Sequence, residues 1–148
     1  MKVAILMGSA NDAAKMAPAT DMLDRFGIDH VSEVMSAHRT PAAVASFAAA
    51  ARRDGFAAVI CGAGMAAHLA GVVAAHTTLP VIGVPLSGGL ADGLDALLST
   101  VQMPKGIPVA TVAVNGSANA AVLAVEILAV SDPGLAAQLD EFRAAGAR

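Results

Sequence analysis

The stretch His30-Val31-Ser32-Glu33-Val34-Met35-Ser36-Ala37-His38-Arg39-Thr40-Pro41 decides how this chain is read. An apolar segment, Val31–Met35 broken by Ser32 and Glu33, stops at a titratable imidazole and a fixed cation. A proline follows at once and opens a helical pattern, where its missing N–H and locked φ suit a first turn. Strand, polar loop, helix: this order sets His38 and Arg39 beyond the carboxyl end of a strand, where open α/β sheets hold their ligands. The unit Cys61-Gly62-Ala63-Gly64-Met65-Ala66-Ala67-His68-Leu69 repeats the arrangement, with His68 four residues after the second glycine. Two strand-end loops of this chemistry point to an enzyme rather than a binding scaffold.

The same alternation continues in both directions. Val3–Met7 is an unbroken apolar run, as in a strand buried on both faces. Gly8-Ser9-Ala10-Asn11-Asp12 turns the chain, and Asn11 or Asp12 is placed to cap a helix running to about Phe26. Pro18 falls inside that helix and predicts a kink or a late start; Gly27 stops it. His30–Met35 is the second strand and Pro41–Asp54 the second helix, closed by Gly55. Strands at Phe56–Cys61, Pro80–Pro85 and Pro108–Val114 alternate with helices at Met65–His76, Asp92–Thr100 and from Ser117 or Asn119 to about Val130. A last helix, Pro133–Ala145, has Asp132 as its cap. Five such units with short connections predict an α/β fold: a three-layer, doubly wound parallel sheet of flavodoxin-like type, in one domain spanning residues 1–148.

Composition narrows the function. The net charge is -3 with no basic run, and Trp and Tyr are absent. That argues against nucleic acid as a partner, which needs cationic patches and stacking surfaces. No apolar segment approaches the roughly 20 residues of a membrane span, and residues 1–7 are too short for a signal sequence. A single cysteine, Cys61, excludes an internal disulfide and fits a cytoplasmic protein with a buried, inert thiol. The helices Pro41–Ala51 and Ala118–Val130 have narrow polar faces, so a homo-oligomer is expected.

Each candidate site has two readings. The Gly8–Asp12 turn offers backbone N–H groups, a helix N-terminus and the Ser9 hydroxyl to an anion; it equally serves as an ordinary turn with a capping Asp. Arg39 has the geometry for bidentate phosphate or carboxylate binding, and His38 the titration range for proton transfer; the alternative is a surface ion pair beside a helix end. Gly62-Ala63-Gly64 with His68 leaves room for a planar ligand, or packs helix on strand around a core histidine. Gln102-Met103-Pro104 reads as a pocket wall or a subunit contact. There is no Gly-x-Gly-x-x-Gly and no Walker lysine. No cysteine pair or carboxylate cluster accompanies the histidines, so no metal is expected.

Taken in order, these segments resemble the N5-carboxyaminoimidazole ribonucleotide mutases, the PurE family of de novo purine synthesis. The resemblance covers nearly the whole chain. It rests on Met7-Gly8-Ser9 with Asp12, Ser36–Pro41, Gly62-Ala63-Gly64 with Ala66-Ala67-His68-Leu69 and Gly71, Pro80–Pro85, Leu97-Leu98-Ser99 with Val101-Gln102-Met103-Pro104, and Asn119-Ala120-Ala121. It implies an enzyme without cofactor or metal, usually a homo-octamer, acting on a small ribonucleotide. The family moves a carboxylate from the exocyclic nitrogen of an aminoimidazole to ring carbon C4 through trapped CO2. The histidine matching His38 shuttles the proton. By the same resemblance Ser9, Asp12 and Arg39 hold the ribose phosphate, Ser36 and His38 meet the ring, and Ala63, Gly64, His68 and Leu69 line the base and CO2 pocket.

Arg39 after the histidine, and the intact Ala-Ala-His-Leu, resemble the mutase branch rather than the branch that carboxylates aminoimidazole ribonucleotide directly. A paralogue that binds the ribonucleotide without turnover is the third alternative. The chain departs from the family pattern at Asn11 for serine, Met65 for glycine, Ala70 for proline, and in the loop Ser87–Ala91. Met65 is the departure nearest the pocket, with its side chain expected either to project there or to pack away.

Overall fold

A computed structural model describes residues 1–148. Five strands, β1 (Lys2–Met7), β2 (Asp29–Val34), β3 (Phe56–Gly64), β4 (Val81–Leu86) and β5 (Ala110–Thr111), form one sheet in the order β2-β1-β3-β4-β5. Every neighbouring pair is parallel. This is the doubly wound, flavodoxin-like order, with its switch point between β1 and β3. Six helices cover the sheet: α1 (Ala13–Arg25), α2 (Pro41–Ala51), α3 (Leu69–His76), α4 (Leu94–Val101), α5 (Ser117–Ala129) and α6 (Pro133–Ala144).

The unbroken apolar run of β1 feeds two cores because its side chains alternate. Val3, Ile5 and Met7 join one cluster with residues of α1, α5 and α6; Ala4 and Leu6 join the other with residues of α2 and α3. Ala19 of α1 and Ala120, Ala121 and Ala124 of α5 are completely buried. Side chains this small let two helices lie close together over the sheet.

Several boundaries differ from the sequence reading. β3 continues past Cys61 because Ala63 and Gly64 find ladder partners in Pro85 and Leu86. The third helix starts at Leu69 rather than Met65, since Met65 adopts φ 55° and a right-handed helix cannot pass through it. The fifth strand shrinks to Ala110–Thr111 at the sheet edge, flanked by chain that pairs with β4 only locally. The second helix ends at Ala51, three residues early, in a turn closed by Gly55 at φ 86°. The fourth begins at Leu94, after a left-handed Gly93. Pro18 does not delay α1, which runs through it from Ala13. Ser9 caps a short 3-10 turn, Ala10–Asp12, that leads into α1, its hydroxyl accepting from the Asn11 N–H at 3.2 Å; Asp12, at the N-cap position of α1, makes no side-chain capping bond. Gly27 and Asp132 act as expected: Gly27 turns the chain at φ 65°, and Asp132 accepts from the N–H groups of Gly134 and Leu135.

Candidate active site

Parallel register brings the loops after β1, β2, β3 and β4 to one edge. Met7 pairs with Val34 on one side and Gly62 on the other, so β1 and β2 stop level with each other and β3 runs two residues further. A cavity of about 580 Å³ opens there. The β1 loop contributes Gly8, Ser9, Asn11 and Asp12; the β2 loop Ser36, Ala37, His38 and Arg39; β3 and its loop Ala63, Gly64, Met65, Ala66, His68 and Leu69. All nine residues expected at the site therefore share one cavity: Ser9, Asp12, Ser36, His38, Arg39, Ala63, Gly64, His68 and Leu69. A larger cavity of about 700 Å³, on the flank formed by α1, α5 and α6, holds none of the histidines.

The β2 loop is shaped by its own side chains. The Ser36 hydroxyl accepts from the N–H groups of His38 (3.3 Å) and Arg39 (3.2 Å). The Thr40 hydroxyl accepts from the Ser36 N–H and donates to the Ser36 carbonyl. This closed local network, of the kind serine and threonine form in turns, fixes where His38 leaves the backbone. Its imidazole then meets His68: His38 Nε2 lies 2.7 Å from His68 Nδ1, with ring centroids 4.9 Å apart and the planes 77° apart. One ring donates and the other accepts, so the pair shares one proton along this edge. The two remaining histidines lie elsewhere. His30 bonds Asp24 at 3.0 Å, and His76 is exposed at the end of α3.

Asp12 lines the same cavity from the β1 loop. Burial raises its pKa above 3.8, while a backbone hydrogen bond from Ser9 and the nearby Lys15 ammonium pull it down. A raised value means the fold favours the protonated form. Its contribution to stability is therefore present below about pH 3.8 and is lost as the pH rises through the higher folded value. At neutral pH Asp12 is held as a partly desolvated carboxylate at some cost, which fits a group kept for binding.

Met65 projects at the mouth of the cavity with 66% of its surface exposed. It does not pack away into a core. Gln102 and Met103 stand outside this cavity; Met103 covers Gly71 on α3, where a Cβ would come within 3.2 Å of its sulfur. Ser87 and Gly88, from the loop singled out by its departure from the family pattern, complete the wall, and Lys15 is the wall residue the sequence reading missed. Lys15 bears a helical spacing to Asp12, but its partner is 72 residues away and nothing local announces it. Cys61 is buried in β3, and burial pushes its thiol far above the ordinary range. No group of three or more His, Cys, Asp or Glu lies close enough to hold a metal ion, and no helix is long and apolar enough to cross a membrane.

Comparison with known proteins agrees with this fold. Residues 2–148 match the family model described as AIR carboxylase. The N5-carboxyaminoimidazole ribonucleotide mutase of Vibrio parahaemolyticus is 50% identical over 145 residues, covering 97% of this chain and 90% of that protein. The mutase of that name from Saccharolobus solfataricus is 51% identical over 141 residues, covering 95% and 89%. Phosphoribosylaminoimidazole carboxylase of Schizosaccharomyces pombe is 51% identical over 140 residues, which are 95% of this chain but 25% of that protein. Among solved structures, Treponema denticola PurE superposes with a TM-score of 0.87 at 29% identity, covering 98% of this chain and 90% of that one.

Proposed function

The chain belongs to the AIR carboxylase family, and from that premise we propose that it is an N5-carboxyaminoimidazole ribonucleotide mutase. It is an isomerase of purine biosynthesis that converts its substrate into 4-carboxy-5-aminoimidazole ribonucleotide. His38 is its general acid and base. The reaction balances within the substrate. The exocyclic N–C bond breaks, its electron pair stays on nitrogen, nitrogen takes a proton from His38, and CO2 is released into the cavity. C4 then supplies the electron pair for the new C–C bond, and its proton returns to His38. Neither half needs a metal or a cofactor. Holding CO2 against C4 replaces a bimolecular encounter with a local one, for which effective molarities reach about 10⁵ M or more.

The observation that carries this reading is the 2.7 Å contact between His38 and His68 inside the cavity. Imidazole is the side chain that gives and takes protons near neutral pH. His68 orients the ring from the neighbouring loop, as a second group orients the base in other proton-transfer sites. Ser36 and the small residues Ala63 and Gly64 leave space for a five-membered ring beside it, and Leu69 lines it. Ser9, Asp12 and Arg39 take the ribose phosphate end.

His38→Asn tests the assignment. Loss of a general acid and base costs about 10²- to 10⁴-fold in turnover, so kcat is expected to fall by that range while product binding, read by calorimetry, stays within a few-fold. A variant that keeps its activity rules His38 out as the proton carrier. The likeness to the carboxylase of Schizosaccharomyces pombe keeps a second reading in play. Product formed from aminoimidazole ribonucleotide only when bicarbonate is supplied, with no turnover of the carboxyamino substrate, would favour direct carboxylation. Binding without either reaction would mark a non-catalytic paralogue.

The working enzyme is a single-domain subunit of a cytoplasmic homo-oligomer, an octamer by family likeness. Exposed Leu94, Leu98 and Val101 on one face of α4 support self-association, since such a stripe is costly to leave in water. The sequence reading placed uncovered apolar surface on the second and fifth helices: α2 does expose Ala42, Ala43 and Ala49, whereas α5 buries Ala120, Ala121, Ala124, Val125 and Leu128 against α1, α6 and the sheet and leaves Val122, Leu123 and Ile127 half-buried.

A further inference from the structure

Lys15 lies on α1 with its ammonium half-buried in the cavity wall. Its Nζ donates to the Ser87 carbonyl at 2.8 Å. A Cβ built on Gly88 would stand 3.6 Å from it, so the amine sits directly under the loop that follows β4. The chain's ion pairs are His30 with Asp24, Arg53 with Asp54, and Arg143 with Glu126; Lys15 is in none of them. Of the three protons on the amine, one is used by Ser87 and the other two have no partner in the protein. Asp12 is close enough to feel the charge but is not bonded to it. Arg39, the other cation on the wall, likewise bonds only through its backbone N–H. Apart from the imidazoles, the wall carries two cations, Lys15 and Arg39, against one anion, Asp12. Arg39 is exposed, whereas Lys15 is half-buried, and taking a charge out of water is costly unless a partner compensates it.

We propose that Lys15 is a further substrate-binding residue, whose ammonium takes the phosphate of the ribonucleotide while its bond to the Ser87 carbonyl ties the β4–α4 loop to the bound anion. The inference rests on the mutase reading and adds a residue to it. The loop from Ser87 to Gly93 is otherwise fastened by side chains of its own neighbourhood. The Ser87 N–H donates to Asn115, the Gly88 N–H to Asp92, and the Leu90 N–H to Asp95. Lys15 is the link from this loop to the far side of the cavity. Phosphate on the ammonium therefore makes one chain of contacts from the ligand through α1 to the loop. Lys15 acts on binding rather than on the proton transfer, because the imidazoles are supplied by the β2 and β3 loops.

Lys15→Met keeps the unbranched shape of the side chain, one atom shorter, and removes its charge; Lys15→Arg keeps the charge. Calorimetry on the product ribonucleotide and on its riboside, the same molecule without phosphate, separates the roles. A charged hydrogen bond to phosphate predicts that Lys15→Met weakens ribonucleotide binding by about 10- to 100-fold. Riboside binding is expected unchanged, and Lys15→Arg within a few-fold of the wild type for both ligands. Equal losses for ribonucleotide and riboside would show that Lys15 only shapes the cavity and would overturn the proposal. Unchanged ribonucleotide binding in a folded Lys15→Met protein would overturn it too. Failure of the wild type itself to bind the ribonucleotide would reject the mutase reading, a result distinct from either.

Discussion

Met65 holds a left-handed backbone, φ 55°, at the rim of the cavity while most of its side chain stands in water. A residue with a Cβ costs about 1–2 kcal/mol in that conformation, and an exposed thioether recovers little of it by packing. Glycine would remove the strain but add about 0.4–1 kcal/mol of freedom to the unfolded chain. The strain is the larger quantity. Met65→Gly is therefore expected to gain about 0.5–1 kcal/mol, a rise in Tm of about 1–4 °C for a domain of this size. A Tm that stays level or falls would mean the side chain makes contacts that outweigh the strain. At this scale the sequence was informative wherever a residue's chemistry and its neighbours suffice. Imidazole, guanidinium and glycines at strand ends marked His38, Arg39, His68 and Gly64. The 2.7 Å meeting of the two imidazoles joins positions 30 residues apart, and the Lys15–Ser87 bond joins positions 72 apart. Neither leaves a local trace.

Among the elements, α4 rests on β4 through a missing side chain. A Cβ at Gly83 would fall 2.3 Å from Thr100 Cγ2 and 2.9 Å from Val109 Cγ1. Thr100 cannot simply turn aside, since its hydroxyl is bonded to the Ala96 carbonyl at 2.7 Å. Gly83→Ala is expected to destabilise the fold by about 1–3 kcal/mol, the usual range for overpacking. Urea denaturation reads this as a lower midpoint at constant slope; an unchanged midpoint would show that α4 is free to shift outward. Periodicity and glycine or proline punctuation located all five strands and six helices in the correct order. What they misplaced were ends. Met65 looked helical because its neighbours are helix formers, yet the chain needs a left-handed turn there to bring His68 back over the sheet. Pro108–Val114 looked like a full strand because an apolar run reads alike whether or not a partner strand continues beside it.

At the scale of the whole molecule, Leu94, Leu98 and Val101 follow one another at helical spacing and are each about half exposed. Leu98→Asp places a charge in the middle of that stripe. Light scattering is expected to show a lower mass for the variant than for the wild type at micromolar concentration, because a buried unpaired carboxylate is far more costly than a solvated one. An identical mass for both would remove α4 from any subunit contact. The spacing of this stripe was visible in the sequence, whereas its exposure was not. Exposure depends on which helix the chain lays over which, and that is decided by the sheet order rather than by any segment alone.

Cys61 gives the molecule a concealed chemical gauge. Its sulfur sits in the middle strand with 2% of the residue exposed, in the core cluster under α2 and α3, and burial suppresses the thiolate that alkylating reagents require. No other cysteine competes for label. The sulfur becomes reactive only when the central strands part, so its rate of modification reports how often the whole structure opens and is silent about movement at the rim.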